Sequence, residues 1–78
     1  MTIAALRAYK RILILGFGRE GQASLSFLKK YVPDSVIDIA DRRDGPGYLE
    51  RQLRYDLIIK TPGISKKQVT RPYTTATN

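Results

Sequence analysis

Ile12-Leu13-Ile14-Leu15-Gly16-Phe17-Gly18-Arg19-Glu20-Gly21 is the stretch from which the rest of the chain can be read. An unbroken apolar run of this length suits a strand covered on both faces. It leads straight into G-x-G-x-x-G and then into a segment with helical periodicity. In that context glycine lets the backbone turn sharply and come close to a phosphate. The helix that follows offers free N–H groups and a partial positive charge at its N-terminus. Gly16, Gly18 and Gly21 are therefore expected to form a cradle for a phosphorylated ligand, with a nucleotide as the first candidate. Arg19 and Glu20 fall at the helix mouth, within reach of such a ligand. The plainer alternative is that the glycines serve only a tight turn and close helix–strand packing.

Working outward, residues 1–10 carry Ile3 and Leu6 with weak periodicity and read as a frayed lead-in. Arg11 to Leu15 is the first strand. Glu20 to Tyr31 places Ala23, Phe27 and Tyr31 four apart, with Leu25, Leu28 and Val32 on the adjoining stripe, which predicts one apolar helical face. Lys29 and Lys30 lie near the C-terminal end of that helix dipole, and Pro33 stops the helix. Val36 to Ala40 is a second strand ending at Asp41. Asp44-Gly45-Pro46-Gly47 is a turn, and Tyr48 to Arg54 predicts a two-turn helix with Leu49 and Leu53 toward the sheet. Asp56 to Lys60 is a third strand.

Strand–helix–strand–helix–strand with short connections predicts an α/β fold, a Rossmann-like three-layer half-unit with parallel strands in the order 3-2-1. Thr61-Pro62-Gly63-Ile64 suits a type II turn with glycine at positive φ. Ser65 and Gln68 have capping-box spacing, although Pro72 leaves room for only a turn or two of helix. Tyr73 to Thr77 is β-prone and is expected to pair beside strand 1, extending the order to 3-2-1-4. A doubly wound sheet normally continues past strand 1 into a second half. The expectation is therefore that residues 1–78 form a single nucleotide-binding domain of a longer protein, with an open edge beside strand 1 that invites pairing with a second copy.

Bulk composition narrows the chemistry. The 78 residues contain no cysteine and no histidine, so disulfides, thiolate–metal sites and the commonest general base are all unavailable. No apolar run approaches the roughly 20 residues of a membrane span, and no signal-peptide pattern opens the chain. No membrane partner is expected, and a cytoplasmic location is the default. The net charge of +7 favours anionic partners. Its basic residues are scattered in pairs, as at Lys10-Arg11, Lys29-Lys30, Arg42-Arg43 and Lys66-Lys67, without the aromatic interleaving of an RNA platform. Nucleic acid is not the expected ligand.

Asp41 stands 20 positions past Gly21 at the tip of strand 2, where an acceptor can read a ribose hydroxyl or a base edge. Arg42 and Arg43 could instead clamp a phosphate. Thr61, Pro62 and Gly63, at the tip of strand 3, share a sheet edge with the glycine loop and Asp41, because parallel strands end on the same side. Backbone N–H groups of Gly63 and Ile64 could cap a second phosphate. Taken singly, each of these segments is also an ordinary charged loop or turn.

Together they resemble the N-terminal domain of the Mur ligases, most closely those that add D-glutamate to UDP-N-acetylmuramoyl-L-alanine in bacterial peptidoglycan synthesis. The resemblance rests on Ile12 to Gly21, Ile39-Ala40-Asp41-Arg42, Tyr55 to Ser65, and Pro72 to Asn78. The first stretch is shared with many Rossmann-like domains; Asp56-Leu57-Ile58-Ile59-Lys60-Thr61-Pro62-Gly63-Ile64-Ser65 is the more specific.

The resemblance implies that the domain binds the UDP part of UDP-N-acetylmuramoyl-L-alanine. The loop from Gly18 to Gly21 would lie against the diphosphate, with Arg19 and Glu20 at its rim. Asp41 and Arg42 would lie beside the uracil, and Thr61, Pro62 and Gly63 along the other side. In that family ATP and Mg²⁺ activate the muramoyl-alanine carboxylate as an acyl phosphate, which the D-glutamate amine attacks. This sequence has no G-x-x-x-x-G-K-[ST], no counterpart of the central domain's metal ligands and lysine, and no C-terminal domain. The chain by itself is therefore expected to carry no catalytic residue and no cofactor, and to be inactive alone. Family members also place a longer helix after the Pro-Gly-Ile turn than Pro72 allows here.

Two other readings fit parts of the pattern. One is a small NAD(P)-binding module, with Asp41 suiting NAD and Arg42-Arg43 suiting NADP, in which Thr61 to Ile64 has no required role. The other is a non-enzymatic interaction module that keeps the fold without the ligand.

Overall fold

Ile12, Leu13, Ile14 and Leu15 have no exposed surface at all, so the strand they form must be covered on both faces. A computed structural model of the protein describes residues 3–75 and builds these two faces into three layers. The elements are α1 (Ile3–Arg7), β1 (Arg11–Leu15), α2 (Arg19–Tyr31), β2 (Val36–Ala40), β3 (Leu57–Lys60) and β4 (Tyr73–Thr75). Short 3₁₀ helices occupy Arg42–Asp44, Tyr48–Arg54 and Lys66–Gln68. On one face Ile12, Ile14, Leu57 and Ile59 pack with Leu28 and Val32 from α2 and its C-terminal end, and with Leu6 from α1. On the other, Leu13, Leu15 and Ile58 pack with Ala40, Tyr55 and Ile64, over which Tyr48, Leu49 and Val69 close. Residues 3–10 are thus more than a frayed lead-in, since Ile3–Arg7 is helical and Leu6 is a core residue, while Met1 and Thr2 lie outside the described residues. No helix among the described residues is long and apolar enough to cross a membrane.

The fold class is α/β with an all-parallel sheet, but the strand order is β2-β1-β3-β4, not 3-2-1 or 3-2-1-4. β3 pairs with β1, aligning Ile12 with Leu57 and Leu15 with Lys60, while β2 takes the other side of β1. β4 lies parallel beside β3, aligning Ile58 with Tyr73, so β1 has no open edge. Burial explains the order. The apolar parts of β1 and β3 are uniformly buried, whereas β2 carries Asp38 and is buried only at Ala40. The two strands that can be covered on both faces take the interior, and the strand bearing a carboxylate takes an edge. That edge is partly closed at Ile39, whose carbonyl accepts from Arg51 Nη1 at 3.0 Å. The extension of the fourth strand to Ala76 and Thr77 lies outside the described residues.

Helix details also differ from expectation. α2 buries the stripe through Gly21, Leu25, Leu28 and Val32, while Ala23 and Phe27 turn outward, and the Phe27 ring lies 4.8 Å from that of Tyr31. The segment Tyr48–Arg54 is 3₁₀, with three residues per turn, so Leu49, Gln52 and Tyr55 align toward the sheet. Leu53 falls between them and is 62% exposed instead of facing inward.

Burial at Tyr55 brings its hydroxyl to the Asp38 carboxylate, to which it donates at 2.6 Å. Burial first, and then the hydrogen bond to Asp38 and its charge, raise the Tyr55 pKa above its ordinary 10.0, against an opposing pull from Arg51. The native state therefore resists ionising this phenol more than the unfolded chain does. Its contribution to stability is complete below pH 10 and is lost as pH rises through the raised native value. Tyr55→Phe is expected to destabilise the fold by about 1 kcal/mol at pH 7. In urea melts from pH 8 to 11, the gap between wild type and variant should shrink toward the alkaline end.

Candidate nucleotide site at the sheet edge

The order β2-β1-β3 means that the chain leaves β1 toward one side and later returns to the other. The connections reverse faces with it: α2 covers one face of the sheet and Tyr48–Arg54 the opposite one. Between the carboxyl ends of β1 and β3 there is thus a topological switch point, the crevice where open α/β sheets receive ligands. The second half of a doubly wound sheet is not needed to create it.

Gly16 is the first residue past β1 and has φ +89°. Its N–H donates to Ala40 O at 2.7 Å, tying the end of β1 to that of β2. From the other side Thr61, only 5% exposed, donates to Leu15 O through both its N–H (3.2 Å) and its hydroxyl (3.1 Å). A Cβ on Gly16 would run into Thr61 Oγ1 and come within 3.3 Å of Ile64 Cγ1. The third glycine of the loop works differently. A Cβ on Gly21 would meet Gly16 O at 2.5 Å, so Gly21 allows α2 to lie against the loop. Gly18 is the N-cap of α2; its carbonyl accepts from Gln22 N at 3.0 Å, and it contributes no side-chain cap.

Asp41 caps the turn Arg42–Asp44. Its Oδ1 accepts from Arg42 N at 2.9 Å, and Asp44 Oδ2 accepts from Asp41 N at 2.9 Å. Arg43 Nε lies 3.9 Å from its Oδ2. The carboxylate at the tip of β2 is thus largely engaged with its own turn. Thr61 to Ile64 closes with Ile64 N–H donating to Thr61 O at 3.0 Å, but Gly63 has no positive φ, so this is not the type II turn expected. Lys60 Nζ reaches Ile64 O at 2.8 Å and Thr61 O at 3.3 Å, and the Ile64 side chain is pulled into the core. These ties hold the segment in a conformation that makes no demand on Gly63.

An open cavity of about 420 Å³ lies above these strand ends, within the roughly 300–1,000 Å³ of small-molecule sites. Of the residues singled out in the sequence, Gly16, Gly18, Glu20, Asp41, Arg42, Thr61 and Gly63 line it. Arg19, Gly21 and Pro62 do not: Arg19 and Pro62 are exposed outside it, and Gly21 is buried in the helix–loop contact. Phe17, Tyr48, Ile64 and Gln68 complete the wall. Tyr48 carries no local signal of a site and Gln68 only that of a cap for Ser65; packing of their two 3₁₀ segments over the sheet brings them to the edge. Among the described residues, acidic side chains do not gather into a group that could hold a metal ion.

Comparison with known protein families, curated proteins and solved structures finds no match to this chain.

The three loop glycines should respond differently to alanine. Gly16→Ala, strained in φ and blocked by Thr61, is expected to cost at least about 2 kcal/mol. Gly21→Ala should cost about 1–3 kcal/mol through overpacking against Gly16. Gly18→Ala, whose Cβ would make only an ordinary contact with Glu20 Oε2 at 3.9 Å, should cost the least, about 0.5 kcal/mol. Chemical denaturation of the three variants tests the ranking.

Proposed function

We propose that this chain binds the UDP part of UDP-N-acetylmuramoyl-L-alanine, as the N-terminal domain of an ATP-dependent, cytoplasmic D-glutamate-adding ligase of peptidoglycan synthesis. The observation that carries the reading is the cavity at the β1/β3 switch point, which gathers the glycine loop, Asp41-Arg42 and the Thr61–Gly63 segment onto one sheet edge. These fall within three of the four stretches on which the resemblance to the Mur ligases rests. The 13-residue helix α2 directs its N-terminal end toward the loop, which favours negative charge there. A net charge of +7 favours an anionic ligand further. The proposed role is binding and orientation of the nucleotide; ATP and Mg²⁺ would act on the substrate in other parts of the ligase.

The capping role of Asp41 also bears on the choice of ligand. A carboxylate engaged by Arg42 N and flanked by Arg43 is poorly placed to accept both ribose hydroxyls of NAD. This favours the UDP reading over a dinucleotide module.

Amide chemical shifts of the labelled chain, followed on titration with UDP-N-acetylmuramoyl-L-alanine and in parallel with NAD and NADP, test the proposal. Saturable shifts at Gly16, Gly18, Asp41 and Gly63 are expected with the UDP ligand alone. Shifts with NAD or NADP only would replace the reading with a dinucleotide-binding module, and silence with all three would remove it.

A further inference from the structure

The end of the sheet away from the cavity carries most of the chain's excess charge. All four parallel strands begin there, and their starts are level. Arg11 stands opposite Val36 at the start of β2. Asp56, just before β3, donates its N–H to Arg11 O at 2.8 Å and accepts from Arg11 N at 3.1 Å through Oδ2. β4 starts one residue further along, with Tyr73 opposite Ile58. The edge is therefore flat to within a residue or two, a rise of about 3–7 Å.

Seven cations gather at this edge. Arg7, Lys10 and Arg11 lead into β1, Lys29 and Lys30 end α2, and Arg54 and Arg71 come just before β3 and β4. Two of them also tie segments together: Arg7 Nε donates to Tyr31 O at 3.4 Å, and Arg71 Nε to Tyr55 O at 3.1 Å. All seven are exposed. Only Asp34 and Asp56 oppose them, so this end holds five of the seven net positive charges. Among the described residues no ion pair forms here; Arg43–Asp41 and Arg51–Asp44 lie beyond the other end of β2. Cations that stand as scattered pairs in the sequence are thus collected by the topology.

Aromatic rings are interleaved with them. Lys30 Nζ and the Arg11 guanidinium each lie 5.3 Å from a ring centroid, of Tyr31 and Tyr55 respectively. Rings covered in this way are poor platforms for the bases of a single strand. Phe27, one turn before the end of α2, and Tyr73, at the start of β4, are 43% and 41% exposed.

We infer that this edge is a docking surface for the face of an anionic lipid bilayer. A flat array of unpaired cations matches a plane of lipid phosphates, and Phe27 and Tyr73 suit the boundary between headgroups and acyl chains. Attachment of this kind lies on the membrane and needs no spanning helix. The cavity sits at the other end of the strands, about 16 Å away, and stays open to solvent in this orientation. The inference is independent of which ligand that cavity takes.

Co-sedimentation of the whole chain with phosphatidylcholine vesicles, with and without phosphatidylglycerol, tests it. Binding is expected only where phosphatidylglycerol is present. It should vanish between about 0.1 M and 1 M salt, as the screening length falls from about 10 to 3 Å. The double variant Lys29→Gln, Lys30→Gln should weaken it about thirtyfold, and Arg54→Gln, on another element, about fivefold. The double variant Lys66→Gln, Lys67→Gln removes the same charge from the segment after β3 and should bind like wild type. Thermal melts verify that each variant keeps the fold. Equal losses in the two lysine pairs would overturn the docking face, because net charge would then account for the binding. Failure of wild type to bind phosphatidylglycerol vesicles would overturn it as well, and binding of a duplex DNA probe in their place would assign the edge to nucleic acid.

Discussion

At the end of β1 three segments meet at distances that leave no room for a side chain. Gly16 turns there at positive φ, Thr61 from β3 bonds back to Leu15 O, and Gly21 of α2 lies against Gly16 O. This close approach joins helix, loop and neighbouring strand, and it also shapes the floor of the cavity. A β-carbon at Gly16 would separate β1 from the Thr61 turn, and one at Gly21 would lift α2 from the loop. The same atoms therefore carry part of the packing and the candidate site. Gly18, where a β-carbon would make only an ordinary contact with Glu20, lines the cavity instead.

The strand order follows from where polar groups can be tolerated. Asp38 interrupts β2 and is satisfied by the Tyr55 hydroxyl, which reaches it from the end of the 3₁₀ layer. Such an arrangement needs that face of β2 to be accessible to Tyr55, and an edge strand allows this. β3, carrying Leu57, Ile58 and Ile59, fills the interior position on the far side of β1. Once β2 and β3 flank β1, their connections lie on opposite faces, and the crevice between β1 and β3 follows. The polarity of one strand thus leads to the location of the cavity.

Around that cavity the loops are stiffened by their own hydrogen bonds. Capping boxes at Asp41–Asp44 and Ser65–Gln68, the Lys60 bonds to Thr61 and Ile64, and the Gln52 bond to Gln68 O use backbone groups that would otherwise face solvent. A site built this way is largely formed before a ligand arrives, which lowers the ordering cost of binding. It also explains why Asp41, at the tip of a strand, is partly occupied as a helix cap.

Much of this was legible in the sequence. The apolar run Ile12–Leu15, the glycine spacing, the stop at Pro33 and the Ser65–Gln68 capping pair are local signals. Local chemistry produces each of them as read: strand, loop, helix end and cap. The gathering of the glycine loop, Asp41 and Thr61 on one edge also follows from parallel strands alone. The strand order, the outward turn of Ala23, Phe27 and Leu53, and the absence of positive φ at Gly63 do not follow from local chemistry. They depend on which faces find partners: β3 beside β1, a 3₁₀ rather than α repeat under Leu49 and Gln52, and Lys60 holding the Thr61–Ile64 turn. Tyr48 and Gln68 belong to the same class, since residues 20 apart in the chain meet at one cavity only after the second layer has folded over the sheet. The sequence by itself determined the strands, the long helix and the residue types at their tips, because these arise within a few residues. The tertiary structure alone decided their order and the far wall of the site, because these depend on burial shared between distant segments.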